Sequence, residues 1–121
     1  MAATFQIQRT TAGGLVTLGL EGYLDAHTAP AFEKAVQQET DAGNMRLIAD
    51  CTNLIYISSA GLGVFMSFIE DIRGAGGDLK ICGLQPKVAQ VFEILGFESI
   101  FDIVPTAADA SKKFESSAAE A

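Results

Sequence analysis

Basic residues are scarce in this chain. Its 121 residues hold 8 lysines and arginines against 15 aspartates and glutamates, a formal charge of −7. The bases form no cluster, so nucleic acid is not an expected ligand, because phosphate contacts need Lys and Arg side chains. Anionic membrane surfaces are disfavoured for the same reason, and a basic partner surface is favoured. Histidine is represented by His27 alone, and the two cysteines are Cys51 and Cys82. Neither cysteine has a second one within metal-ligand spacing, so a zinc site lacks ligands within one chain. Both thiols sit in or beside apolar strand-like runs and read as buried and reduced. No apolar run approaches the roughly 18 residues of a spanning helix, so direct membrane insertion is not expected. The start, Met1-Ala-Ala-Thr-Phe5, lacks the basic and apolar regions of a secretory signal, which makes the cytoplasm the expected compartment. What the chain does have is apolar content: 49% of its residues are hydrophobic, enough to bury a real core and to argue against disorder. The length suits one domain. Residues 1–115 are expected to form it, with 116–121 a frayed tail that has nothing to bury.

Along the chain, Phe5-Gln-Ile7-Gln alternates as a half-buried strand does. Thr11-Ala-Gly13-Gly14 reads as a hairpin turn, and Leu15 to Leu20 as the returning strand. Glu21 to His27 reads as a loop. Thr28 suits a helix N-cap with Pro30 in the first turn, and the helix runs to about Thr40 with Phe32, Ala35 and Val36 inward. Arg46 to Asp50 is a short strand, extended irregularly by Leu54 to Ile57. A helix begins near Ser59, with Leu62, Phe65, Met66, Ile69 and Ile72 as its core stripe. Leu79 to Cys82 is the next strand. Pro86 opens a helix carrying Val88, Val91, Phe92 and Leu95, closed by Gly96. Ile100 to Val104 reads as a last short edge strand, and a final helix follows Pro105, including Ala108 and Phe114. The expected fold is α/β: a mixed, mostly parallel sheet of four to five strands with about four helices. Strand–helix–strand units make neighbouring strands parallel. Open sheets of this kind place their sites at the strand-to-helix edge, so Asp25, Asp50, Thr52 and Ser59 are expected to share a rim.

The stretch Asp50-Cys-Thr-Asn-Leu-Ile-Tyr-Ile-Ser-Ser-Ala-Gly-Leu-Gly63 is the most informative. Two serines stand where a helix starts. A hydroxyl there lies among unpaired backbone N–H groups and the positive end of the helix dipole, and a phosphate on it would be stabilised by both. A serine at a helix start is equally a plain N-cap. Gly61 and Gly63 each cost up to about 1 kcal/mol relative to Ala inside a helix. Either a partner must approach closely over Ala60, Gly61 and Gly63, or the helix packs closely on the sheet. Val64 and Phe68 lie off the core stripe; they cover a neighbouring helix or form an apolar patch beside Ser59.

These residues resemble a known signature. Asp50-x-Thr52-x-Leu54-x-Tyr56-Ile57-Ser58-Ser59-Ala60-Gly61-Leu62-Gly63 is similar to that of STAS domains, the family named for sulfate transporters and anti-sigma-factor antagonists. Gly22-Tyr-Leu-Asp25, Gly76-Gly-x-Leu79 and Val91-Phe92 to Leu95-Gly96-Phe97 extend the resemblance over nearly the whole chain. In the antagonist branch it implies a partner switch. The unphosphorylated protein binds an anti-sigma factor that is also a serine kinase, the kinase inactivates it by phosphorylation, and a serine phosphatase resets it. The family pattern Asp-Ser-[Ser/Thr]-Gly places the modified serine at Ser59, with Ser58 standing where the Asp usually is and serving as the alternative acceptor. The expected partner-binding residues around Ser59 are Asp25 at the shared rim, Ser58, the small residues Ala60, Gly61 and Gly63, and Val64 and Phe68 beside them. A STAS subunit of a lipid-transport or other signalling complex, or a nucleotide or small-molecule sensor, is the alternative reading on the same fold.

Other chemistries lack their parts. A phosphoaspartate receiver needs an acidic pair after its first strand and a late Lys, and a P-loop needs a Gly-Lys pair; none is present. Gly74-x-Gly76-Gly77 follows a helix and precedes a strand, the wrong order for dinucleotide binding, and reads as a turn. Ser59 has only His27 as a conceivable base, and no motif fixes it. Asp25 and Asp50 read as paired acids, or as loop ends and local caps. No constellation supplies nucleophile, base and oxyanion donors together, so neither catalysis nor a cofactor is expected.

Overall fold

In a computed structural model, residues 5–120 are described, with side chains described through residue 115. A hairpin opens the fold. β1 (Phe5–Ala12) pairs antiparallel with β2 (Leu15–Leu24), and Ala12 faces Leu15 across a two-residue turn. Gly13 and Gly14 make that turn with φ of 57° and 81°. Two successive positive φ values match the twist of the flanking strands, and only glycine takes both without strain.

Three parallel strands follow, each reached through a helix. α1 (Ala29–Asp41) leads to β3 (Arg46–Ile57), α2 (Ser59–Gly74) to β4 (Asp78–Cys82), and α3 (Pro86–Ile94) with a 3-10 turn (Phe97–Ser99) to β5 (Ile103–Val104). α4 (Ala107–Glu120) closes the chain. The sheet order is β1-β2-β3-β4-β5, and every pair after the hairpin is parallel. The expected α/β architecture is thus present, with five strands and four α-helices. The tail expected over 116–121 lies outside the described side chains.

Alternation along the strands divides the core in two. Val16, Leu18, Leu20, Leu47, Ala49, Leu79 and Ile81 turn to the side covered by α1, α2 and α3. At the centre of that layer the Phe65 ring meets Phe32 at 5.0 Å and, edge-on, Phe92 and Phe101 at 5.8 and 6.0 Å. Ile48 and Cys82 face the other way, under Ala110 and Phe114 of α4. α4 packs on β3, β4 and β5, with Leu15 of β2 bordering the same cluster. On that side Gln8, Thr10, Thr17 and Gly19 line an open polar hollow of about 190 Å³.

Several local expectations change. β2 continues through Leu24, so the expected loop from Glu21 shrinks to Asp25–Thr28, and β3 runs unbroken from Arg46 to Ile57. Its pairing with β2 slips twice, between Gly19 and Glu21 and between Gly22 and Tyr23. The irregularity expected in β3 is therefore a pair of register shifts. Met66 is 43% exposed and Leu95 also faces out. α2 packs against α1 as well as the sheet, which rotates its buried stripe towards Val64 and Phe68 and leaves Met66 outside. Leu95 sits at the C-cap of α3, just past the last turn that faces the core.

Two buried charges are compensated. Glu39 accepts from Arg9 Nε at 2.5 Å, Arg9 Nη2 at 3.0 Å and Asn44 Nδ2 at 3.0 Å. The Arg9 hydrogen bonds, helped by Asn44, hold its carboxyl below the ordinary glutamate range despite burial. Lys80 donates to Asp102 at 2.7 Å and Asp78 at 2.9 Å, with its ammonium 4.7 Å from the Phe114 ring centre.

Candidate functional site: the start of the second α-helix

The two serines divide their roles. Ser58 is the N-cap, extended at φ −100° and ψ 174°, and its Oγ accepts from the Gly61 amide at 3.4 Å. Ser59 is the first helical residue and is exposed. The amides of Ser59 and Ala60 belong to the first turn, where no helical carbonyl is available to them. The Ser58 N–H donates to the Leu24 carbonyl at 2.9 Å, so the end of β2 is stitched to the start of α2. The helix start is held from behind while the Ser59 hydroxyl faces out.

The small residues beyond it are not equivalent. A Cβ on Gly61 would stand 2.7 Å from Leu24 Cγ and 3.0 Å from Ile57 Cγ1, whereas one on Gly63 would meet nothing within 4 Å. Gly61 is therefore a packing residue beneath the helix, which corrects its expected place on the partner surface. Gly63 is open to solvent. Ala60 is half-buried against the core. Val64 and Phe68 are 6% and 8% exposed and belong to the core, so of their two readings the cover over a neighbouring helix stands and the exposed patch does not. A shallow hollow of about 340 Å³ lies between α1 and α2 next to the serine turn, lined by Ala26, Pro30, Glu33, Ala60, Gly63 and Ser67 among others.

Asp25 lies at the neighbouring strand end. Its carboxylate accepts from the His27 amide at 2.9 Å and the Thr28 amide at 3.1 Å. Thr28 makes no side-chain cap; its hydroxyl accepts from Asp25 N and donates to the Tyr23 carbonyl, both at 2.8 Å. Partial desolvation works to raise the Asp25 pKa, but the hydrogen bonds from His27 and Thr28 outweigh it and keep the carboxyl below its usual value. Asp25 orders its own loop in this way.

Asp50 and Thr52 belong elsewhere. Asp50 sits in register with Gly19 and Cys82, where β4 ends, and β3 continues from there to Ile57. Seven further residues at about 3.3 Å each carry β3 about 23 Å from Asp50 to Ile57, two residues before Ser59. The single rim expected for all four residues is therefore two places. At the nearer one, Asp50 Oδ1 accepts from Thr52 Oγ1 at 2.6 Å and Thr52 N at 3.1 Å, and Gln85 Nε2 donates to the Thr52 carbonyl at 2.8 Å. Gly83, at φ +72°, packs where a Cβ would lie 2.5 Å from Thr52 Oγ1. The Asp-x-Thr element thus fastens the β4–α3 turn to β3.

Cys51 and Cys82 are free and buried. Burial pushes both thiols up, Cys82 to about 12. Among the described residues, no group of three His, Cys, Asp or Glu side chains is placed to hold a metal ion. No described helix is long and apolar enough to cross a membrane. Sequence reasoning missed one feature next to the serines. Tyr23 and Tyr56 are register partners at the ends of β2 and β3, with ring centres 6.2 Å apart. The extension of β2 through Leu24, hidden by the register shifts, is what brings them together.

The architecture defines a small α/β protein with a mixed sheet and a solvent-facing serine at the start of its second helix. The chain belongs to the STAS domain family, whose model matches residues 6–110. It is 35% identical to BtrV of Bordetella bronchiseptica over 102 residues, 84% of this chain and 88% of that one. It is 31% identical to the anti-sigma-B factor antagonist of Listeria monocytogenes over 88 residues, 73% of this chain and 77% of that one. The solved structure of the Bacillus cell fate determinant SpoIIAA in its phosphorylated form has the same fold. The TM-score is 0.69 at 19% identity, over 91% of this chain and 98% of that one.

Proposed function

We propose that this chain is an anti-sigma-factor antagonist switched by phosphorylation of Ser59. In its unmodified form it binds an anti-sigma factor with serine kinase activity, and a serine phosphatase restores that form after phosphorylation. The setting is the cytoplasm. Its role is to occupy a partner, with no reaction of its own. The observation that carries the reading is the division between Ser58, whose hydroxyl is used as the cap, and Ser59, which is exposed at the first helical position. The Listeria relative, named as an antagonist, favours this over a transport subunit or a nucleotide sensor.

The physics of the switch follows from that position. A phosphate on Ser59 adds about −1.5 to −2 charges at neutral pH. The first-turn amides and the helix dipole hold an anion there, a contribution of about 0.3–1 kcal/mol at a surface site. The fold therefore survives modification. A partner packed over Ala60 and Gly63 must desolvate the phosphate or withdraw, so binding is lost by repulsion and exclusion at the contact itself. Mass spectrometry after incubation with the cognate kinase locates the phosphate, with Ser59 expected. Ser59→Ala should resist modification and bind constitutively, and Ser59→Asp should bind weakly. A phosphate found only on Ser58, or a Ser59→Asp variant that binds like wild type, refutes the assignment.

A further inference from the structure

The sheet separates the two buried cysteines. Cys51 lies in the layer under α1, α2 and α3, and Cys82 in the small layer under α4, with Ile48, Ala110 and Phe114. Both are shielded from solvent, and burial lifts both thiols, so neither reacts while its cover is in place. The covers are unequal. The layer around Cys51 is built on Phe32, Phe65, Phe92 and Phe101, packed ring to ring. Over residues 107–115 the buried side chains of α4 are Ala110 and Phe114, and the sequence Ser116-Ser-Ala-Ala-Glu120 brings no large apolar side chain. The polar ties across the seam are shallow. Arg46 donates to the Phe114 carbonyl at 3.2 Å. Lys113 Nζ stands 3.8 Å from Asp102, with both side chains well exposed, where an ion pair adds little. Lys80, buried beneath, is the group that would lock the helix down if α4 supplied its partners, since a buried charge stripped of them is costly. Its partners are instead Asp78 at the start of β4 and Asp102 just before β5. Both stay with the sheet when α4 leaves, and Lys80 gives up its contact with the Phe114 ring.

We infer that α4 is a hinged cover, which swings off the sheet at the exposed Pro105–Thr106 link while the rest of the domain stays folded, baring Ile48 and Cys82. Elements with few buried apolar contacts open in this way well below the free energy of global unfolding. The device is independent of the proposed function. α2 belongs to the other layer, and opening of α4 leaves the hydrogen bond from Ser58 N to Leu24 O in place.

The probe is excess iodoacetamide on the full-length protein at about pH 8, just below the pKa of an unperturbed thiol. Mass spectrometry of tryptic peptides reads each cysteine separately, and each rate is normalised to that of the urea-unfolded chain. Cys82 should be alkylated at least about tenfold faster than Cys51. Its rate should stay within about twofold as low urea is added, because opening of α4 exposes little surface, while that of Cys51 should climb steeply. Two variants separate the layers. Phe114→Ala should speed Cys82 about tenfold or more. Val36→Ala, on α1 in the main layer, weakens the closed and opened states alike. Cys51 should therefore speed up about tenfold while Cys82 stays within about twofold of wild type. Equal rates for the two cysteines with equal urea dependence, or a Val36→Ala protein in which both speed up together, would show one cooperative unit and overturn the cover. So would Phe114→Ala with Cys82 unchanged, since the reagent would then enter by another route. If either variant fails to fold, the wild-type urea series carries the test.

Discussion

Gly61 and Gly63 lie two residues apart on α2, and the same substitution at each should have opposite effects. A Cβ at Gly63 meets nothing within 4 Å. Gly63→Ala should therefore stabilise the protein by about 0.5–1 kcal/mol, the gain of Ala over Gly in a helix. A Cβ at Gly61 would stand 2.7 Å from Leu24 Cγ, with Ile57 Cγ1 at 3.0 Å and Leu24 Cδ2 at 3.1 Å. Leu24 is fully buried, and its Cγ is a branch point that cannot swing aside as a flexible tip would. Overpacking of this kind costs about 1–3 kcal/mol, against the same propensity gain, so Gly61→Ala should lose about 1 kcal/mol. The propensity term is shared by the two variants. Their difference of about 2 kcal/mol thus isolates the contact under the helix. Gly61→Val, with two further methyl groups to place, should lose about 3 kcal/mol or fail to fold. Urea titration of both alanine variants, at equal m-values, measures this. A Gly61→Ala protein as stable as Gly63→Ala would refute the packing argument and return Gly61 to the partner surface. Gly63→Ala is the variant that reads the interface, since any loss of kinase binding there comes with a gain in stability.

Phe114→Ala should cost about 3 kcal/mol in urea titration, because the ring covers Ile48 and Lys80 and no other described aromatic ring belongs to that cluster. Glu39→Gln should flatten the acid limb of the stability curve. The folded carboxyl titrates below the ordinary 4.5, so wild type holds this contribution above that pH and loses it as pH falls through the lower folded value, a slope that melting temperatures from pH 6 to 3 will show. Asp25→Ala should loosen the 25–28 turn and lower the melting temperature, since the His27 and Thr28 amides lose their acceptor, whereas Asp25→Asn keeps an acceptor oxygen. Equal phosphorylation of Ser59 in wild type and in Asp25→Ala would remove that turn from the kinase footprint.

Much of the fold was legible because its signals are local. Alternation in Phe5 to Leu20, the Gly13-Gly14 turn and the stripe from Leu62 to Ile72 each needed only a few neighbouring residues, and the serine turn stood out for the same reason. The errors arose where distant contacts decide. β2 passes through Gly19 and Gly22, which break its alternation, and only pairing with β3 shows that the strand continues to Leu24. Val64 and Phe68 turn inward because α1 lies beside α2, a fact that helical periodicity about one axis does not hold. Asp50 and Ser59 were expected together because the break in apolar pattern at Cys51-Thr-Asn53 resembles a strand end. Pairing with β2 instead carries β3 through it, with Glu21 opposite Asn53 and Gly22 opposite Leu54. Glu39 is buried because Arg9, thirty residues earlier, reaches it from β1.

The hydrogen bond from Ser58 N to Leu24 O has a consequence for traffic at this surface. It ties the serine turn to the end of β2. In the proposed switch a phosphate on Ser59 would therefore be read where it is written. The anti-sigma kinase proposed to add it and the phosphatase proposed to remove it would stand on the same ground, each excluding the other while it is there. Resetting would then wait until the kinase has left, and its departure rate would set how fast the circuit forgets.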